Sequence, residues 1–269
     1  MSRFNRMFAE LEQKKQGAFI PFVVLLDPDR VTSKKIILAL IEAGADALEL
    51  GIAFSDPLAD GPTIQKASMR ALKNHISVRD ALDLVAEIRA VAPNLPIGIL
   101  TYANLVVRNS KKWFYGYCQA SGVDAVLVAD VPIIESEPFC QAAMSHEIDP
   151  VLIAPPNFPL ERIGELARLG RGFTYVVTRT GVTGAKNELK LYHDELLKNL
   201  QESKAPPAVF GFGISTPAQV KAAIAGGAKG AICGSKLISI IEENIGDVPA
   251  MITRLKELIG QMKAATIAD

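Results

Sequence analysis

The stretch DALELGIAFSDPLADGPT, residues 46–63, sets a carboxylate in the middle of an apolar run of strand length. If residues 46–52 form a strand, Leu48 and Leu50 face one side and Glu49 the other, because side chains alternate along an extended chain. Asp56 and Asp60 follow in a long loop, restricted at Pro57 and Pro62 and freed at Gly61, as in an ordered or hinged lid.

Outward from this stretch, short apolar runs alternate with longer segments of helical spacing. FIPFVVLL (19–26) reads as a strand, KKIILALIEAG (34–44) as a helix, and 46–52 as the next strand. Residues 63–72 and 78–91 have helical spacing, with Ser77 placed to cap the second. Strands at 96–102 and 124–131 then enclose a helix at 110–122. The second half repeats the pattern, with strands at 150–155, 173–177, 208–213 and 230–235 and helices at 136–145, 160–169, 188–202 and 217–226. A helical tail reaches about Ala264.

Eight strands result, each followed by helix. Runs rich in Val, Ile and Leu suit strands covered on both faces, and crossover helices force them parallel. An eight-stranded (β/α)8 barrel, a TIM barrel forming a single α/β domain over residues 1–269, and an open doubly wound sheet both remain. The count of eight, the lack of a Pro/Gly/Ser-rich linker and a first strand without a GxGxxG turn favour the barrel.

Composition narrows the function classes. With 49% apolar residues and 22% charged, the chain can bury a sizeable core. Lys plus Arg equals Asp plus Glu at 29 each, with no dense basic cluster, so nucleic acid is not an expected partner. The amphipathic segment MSRFNRMFAELEQKKQG has no continuous apolar core of a signal peptide, and no run is long enough for a membrane span, which suggests a soluble cytoplasmic protein. Cys118, Cys140 and Cys233 are widely spaced and read as small buried hydrophobes. His75, His146 and His193 are scattered and suggest neither a metal cluster nor a triad.

In a parallel barrel the active site lies at the carboxyl ends of the strands. Glu49, if it faces inward there, has the raised pKa that a general acid or base needs. It could instead face outward to a helix-borne Lys or Arg. Asp56 and Asp60 could be turn acids, and a Mg²⁺ site with Glu49 is a weakly signalled third reading, so no metal is expected. FGFGIST (210–216) and AICGSKLI (231–238) expose backbone N–H groups at Gly213, Gly234 and Ser235, where a phosphate would sit in such barrels. Phe22, Leu100, Tyr102, Leu127, Tyr175 and Phe212, near strand ends, suit a flat apolar group. RTGVTGAKN (179–187) is a second mobile loop, able to close over a substrate.

Over essentially its whole length the chain resembles the tryptophan synthase alpha chain family. The resemblance is carried by EAGADALELGIAFSDPLADGPTIQ (42–65), YANLV (102–106), GVDAVLVADVP (122–132), RTGVTG (179–184) and FGFGIST (210–216). It implies a (β/α)8 lyase that cleaves indole-3-glycerol phosphate to indole and glyceraldehyde 3-phosphate. It also implies docking against a pyridoxal-phosphate beta chain in an alpha2-beta2 complex, with no cofactor in this chain. Glu49 and Asp60 match the family's catalytic acids, the lid bringing Asp60 to the indole nitrogen on closure. Gly184, Gly213, Gly234 and Ser235 fall at the phosphate, and Phe22, Leu100, Leu127, Tyr175 and Phe212 around the indole. Ala53, Asp56, Arg179 and Thr183 belong to the mobile loops, Asp56 as a loop or interface residue.

The chain departs from the family pattern in two places. After the first strand, where the family has a Thr two residues before Gly-Asp-Pro, this chain has Val24 and Leu26. At the base of the lid, Gly-Ile-Pro-Phe becomes Gly51-Ile52-Ala53-Phe54, which removes a fixed φ. Ala53 is expected to loosen the lid and alter coupling to a beta chain while leaving Glu49 chemistry in place. A non-catalytic barrel that binds a phosphorylated ligand and regulates a partner is the alternative, resting on Val24 and Leu26. A phosphosugar isomerase on the same barrel would need a base but no flat apolar pocket.

Overall fold

The computed structural model describes residues 1–155, 158–177 and 186–267. Its strands are β1 (Ala18–Val24), β2 (Leu48–Gly51), β3 (Ile97–Thr101), β4 (Ala125–Val128), β5 (Asp149–Ala154), β6 (Thr174–Val177), β7 (Ala208–Gly211) and β8 (Gly230–Cys233). They pair in sequence order, all parallel, and β8 closes on β1 from Ala18↔Gly230 to Pro21↔Cys233. The barrel is therefore the architecture, and the open sheet is not.

Alternation along the strands divides the apolar side chains into two layers. Phe19, Val23, Leu48, Leu50, Ile97, Ile99 and Val126 pack outward with the helices. Ile20, Phe22, Val24, Ala47, Leu100, Leu127, Val151, Tyr175 and Val209 fill the inside. Glu49 lies between Leu48 and Leu50 and has the opposite orientation, so it belongs to the interior.

Local chemistry sets the ends of the elements. Asp46, the first residue of the quoted stretch, accepts from the Phe19 N–H at 2.7 Å and from Lys263 Nζ at 2.8 Å, which ties the entry of β2 to β1 and to the last helix. Ser77 and Asp80 form a capping box on helix Val78–Val91, and Thr216 and Gln219 form one on Pro217–Ala225. The helix expected from 34 begins at Arg30, because the Asp29 side chain accepts from the Thr32 N–H. The expected single tail is two helices, Ser235–Glu243 and Val248–Ala264, the second capped by Asp247.

An amino-terminal helix, Arg3–Gln13, turns Phe4, Met7, Phe8 and Leu11 inward. Phe4 is fully buried and its ring lies 5.3 Å from that of Phe173, at the amino end of β6. The helix thus stops that end of the barrel with aromatic side chains, and the carboxyl end is left to the loops. Cys118, Cys140 and Cys233 are buried free thiols, as their spacing suggested.

Candidate active site

A cavity of about 350 Å³ opens at the carboxyl end of the barrel, within the range of small-molecule sites. Glu49 and Asp60 both line it, with Phe22, Leu100, Tyr175 and Phe212 as apolar walls and Gly213, Gly234 and Ser235 at the glycine-rich side. Strand register places the floor: Phe22 pairs with Glu49, which pairs with Gly98, and Gly51 pairs with Leu100.

Glu49 is 3% exposed and makes no ion pair among the described residues. Burial, and then the negative charge of Asp60, push its carboxyl up to about 8. The outward pairing with a Lys or Arg is therefore absent. Asp60 is half-buried, and burial raises it to about 6, with Tyr102 pulling it back. The Tyr102 ring stacks on Phe54 at 5.2 Å. Near neutral pH, then, one carboxyl of the pair holds its proton and the other has lost it.

Asp60 stands at the cavity wall already, without further movement of the loop. Its N–H donates to Pro57 O at 3.0 Å, and Gln65 Nε2 donates to its carbonyl at 2.8 Å. Helix Pro62–Leu72 starts directly after it, at Gly61. The loop before it is the outward part: Asp56 is exposed and accepts from Ser55 Oγ, and Leu58 is 88% exposed.

The aromatic walls depend on missing side chains. A Cβ on Gly51 or Gly234 would meet the Phe22 ring at 2.8 Å or 2.9 Å, so these glycines let the ring lie flat between β2 and the end of β8. Phe212 takes a φ of 55°, unusual for a non-glycine residue, and its ring meets Tyr175 edge-on at 5.7 Å. At the rim, helix Ser235–Glu243 starts at Gly234 without a side-chain cap, leaving backbone N–H groups for an anion.

Several expected residues lie elsewhere. Leu127 is in the interior layer, beside Leu100 in register, but off the cavity wall. Ala53 is buried in the same layer. Val24 faces the interior and Leu26 is buried at a φ of 66°, and neither reaches the cavity wall. Arg179, Thr183 and Gly184 lie outside the described residues. The sequence reading missed Ile64, Val177, Ile214, Ser215 and Ile232, which with Gly61 complete the lining. Ile232 could have been found, since it shares the inward parity of Gly234 along β8. Among the described residues, no group of three His, Cys, Asp or Glu is placed to hold a metal ion.

The whole chain is similar to known proteins. A family model described as tryptophan synthase alpha chain matches residues 8–267. The tryptophan synthase alpha chain of Cronobacter sakazakii is 51% identical over 267 residues, covering 99% of both chains. That of Escherichia coli is 52% identical over 266 residues, again 99% of each. Among solved structures, the tryptophan synthase alpha subunit of Legionella pneumophila superposes with a TM-score of 0.86 at 27% identity, covering 99% of this chain and 98% of that one. A chain of Mycobacterium tuberculosis tryptophan synthase gives 0.87 at 29% identity, covering 100% and 99%.

Proposed function

The chain belongs to the tryptophan synthase alpha chain family, lyases that cleave indole-3-glycerol phosphate in tryptophan biosynthesis, and we propose that Glu49 and Asp60 carry out that cleavage here. The supporting observation is the split of protonation between two carboxyls that face one apolar cavity.

The raised pKa of Glu49 orders the steps. At neutral pH it begins protonated and gives its proton to C3 of the indole ring, leaving a carboxylate. Positive charge develops on the ring nitrogen, and the ionised Asp60 carboxylate accepts its N–H and stabilises it. The Glu49 carboxylate then takes the proton of the glycerol 3′-hydroxyl. The C–C bond breaks, its electron pair returns to the ring, and indole and glyceraldehyde 3-phosphate separate with Glu49 protonated again. No proton is consumed overall, so one carboxyl suffices as both acid and base.

Phe22, Leu100, Tyr175 and Phe212 hold the indole, with Leu127 supporting Leu100 from behind. The N–H groups of Gly213, Gly234 and Ser235 bind the phosphate, and Gly184 joins them from the loop after β6. Ala53 and Asp56 on one loop, and Arg179 and Thr183 on the other, cover the site and exclude water. Residues 1–269 act as one barrel domain.

Docking to a beta chain in an alpha2-beta2 complex is favoured by exposed apolar side chains beyond consecutive strands: Leu58 after β2, Val107 after β3 and Ile134 after β4. Pyridoxal phosphate belongs to that partner. No described helix is long and apolar enough to cross a membrane. Membership of a biosynthetic enzyme family supports work in the cytoplasm.

The deciding assay is indole release from indole-3-glycerol phosphate by the purified chain, alone and with added beta chain. Glu49→Gln should abolish release while glycerol 3-phosphate still binds. Persistent release would remove Glu49 from the mechanism. The regulatory reading is not favoured, because Val24 and Leu26, its support, leave the cavity wall untouched.

A further inference from the structure

Arg70 sits in the last turn of helix Pro62–Leu72, roughly two helical turns beyond the Asp60 end. Its guanidinium grips Asp27 with both arms, Nε to Oδ1 and Nη2 to Oδ2, each at 2.9 Å. Asp27 is 2% exposed, in the segment that follows β1. Beside this fork, Asn74 Nδ2 donates to Pro28 O at 2.7 Å, so the far end of the helix is fastened twice to one loop.

That loop is itself anchored. The Leu26 N–H donates to Ser33 Oγ at 3.0 Å, and the Leu25 N–H donates to Gly51 O at 2.8 Å, the last residue of β2. A continuous rigid path therefore runs from the strand that carries Glu49, through the loop after β1, up the helix, to Gly61 and Asp60. Gln65 completes it by holding the Asp60 carbonyl. The weaker contacts of Glu242 with Arg70 and Lys66, at 3.7 Å and 3.6 Å, lie at a more exposed surface. Asp27 is raised on balance, by burial first and also by the charges of Glu242 and Asp29, against the hydrogen bond and charge of Arg70.

We infer that Arg70 is a positioning residue for the cleavage: through its fork to Asp27 it fixes the helix that sets Asp60 against Glu49, independently of the exposed loop in front. This rests on the reading of Asp60 given above. Only the guanidinium supplies two parallel donors in a fixed plane; a lysine supplies charge without direction. Displacing Asp60 by a fraction of an ångström to one ångström changes its alignment with the indole nitrogen while leaving the apolar walls and phosphate rim in place.

The test compares Arg70→Lys, Arg70→Met and Asp27→Asn with the control Lys66→Met, on the same helix but exposed. Rates are divided by the number of competent sites, counted by glycerol 3-phosphate binding. Arg70→Met should lower kcat on the order of tenfold to a hundredfold with KM within about twofold, and should displace the acid limb of the pH profile, which belongs to Asp60. Arg70→Lys should share the direction, and Lys66→Met should match the parent. Loss of fold alone lowers the count of sites and leaves the limb and the rate per site unchanged; that result in any folded variant overturns the proposal. Should Arg70→Met not fold, Arg70→Lys and Asp27→Asn decide it by the same readouts. Asp60→Asn separates the two levels: if it leaves rate and acid limb unchanged, the role of Asp60 has failed, whereas its loss of activity beside normal Arg70 variants removes only the clamp.

Discussion

Asp60 contributes to the high pKa of Glu49: its negative charge, added to burial, holds the Glu49 carboxyl at about 8 across the shared cavity. The two groups titrate as a pair, and the profile of kcat/KM should report macroscopic values of that pair. The proposed mechanism requires Asp60 ionised and Glu49 protonated, so the rate should rise through about 6 and fall through about 8. Asp60→Asn removes the charge, and what activity survives should show its alkaline limb at lower pH. An alkaline limb that stays put or moves up would break the coupling.

Glu49 should also make the fold pH-sensitive. Its folded pKa lies above the ordinary 4.5, so the stability of its protonated form is fully present below about 4.5 and is lost as pH rises through about 8. Glu49→Gln does not titrate. Between pH 5 and pH 9 the parent should therefore lose about 2–4 kcal/mol more than the Gln variant, at about 1.4 kcal/mol per pH unit of displacement with allowance for water in the cavity. Urea unfolding at the two pH values measures it, and equal losses in both proteins would contradict the buried carboxyl.

Leu26 sets two effects against each other. Its φ of 66° is unfavourable for a branched side chain by about 1–2 kcal/mol, and glycine removes that strain. Its side chain is 1% exposed, and removing a buried leucine costs about 2–5 kcal/mol. Burial is the larger, so Leu26→Gly should destabilise by about 1–3 kcal/mol. Leu26→Ala keeps the Cβ packing that glycine loses but gains no relief, and should be worse than glycine by up to about 1 kcal/mol. Chemical denaturation of both variants gives the order, and alanine above glycine would show that the left-handed backbone is not strained.

Ala53→Pro tests the base of the lid. Restoring a fixed φ should change the stimulation of indole release by an added beta chain, with the Glu49 chemistry of the isolated chain largely kept. Identical activity with and without the beta chain, in parent and variant, would show that Ala53 has no part in coupling.

The barrel was legible because its signal is periodic and local: alternation set Glu49 opposite Leu48 and Leu50, with inward or outward left open, and glycines after β7 and β8 marked a rim. Element ends were legible only where a cap stood in plain view. Ser77 was recognised, whereas Asp29 was hidden in a DPDR sequence that reads as a turn, and the break before Asp247 lacked a strong stop. Leu127 has the right parity yet lies off the cavity wall, since parity gives a side and not a depth. Ile64 comes from a helix face and Ile214 and Ser215 from a loop, where strand periodicity gives no information. The Arg70–Asp27 fork joins residues 43 apart in sequence, and no local pattern announces it. Nor did the loop signal show that Asp60 already stands at the cavity wall while Asp56 and Leu58 lie exposed.

The aromatic stopper of helix Arg3–Gln13 has a bearing on traffic. With Phe4 packed on Phe173, aromatic rings stand across the amino end, opposite the end where the described cavity opens. A substrate that enters at that open end releases both products toward it. On the proposed placement the triose phosphate stands at the threshold and indole behind it, so departure becomes a queue, and whatever holds the threshold shut also sets how long indole waits.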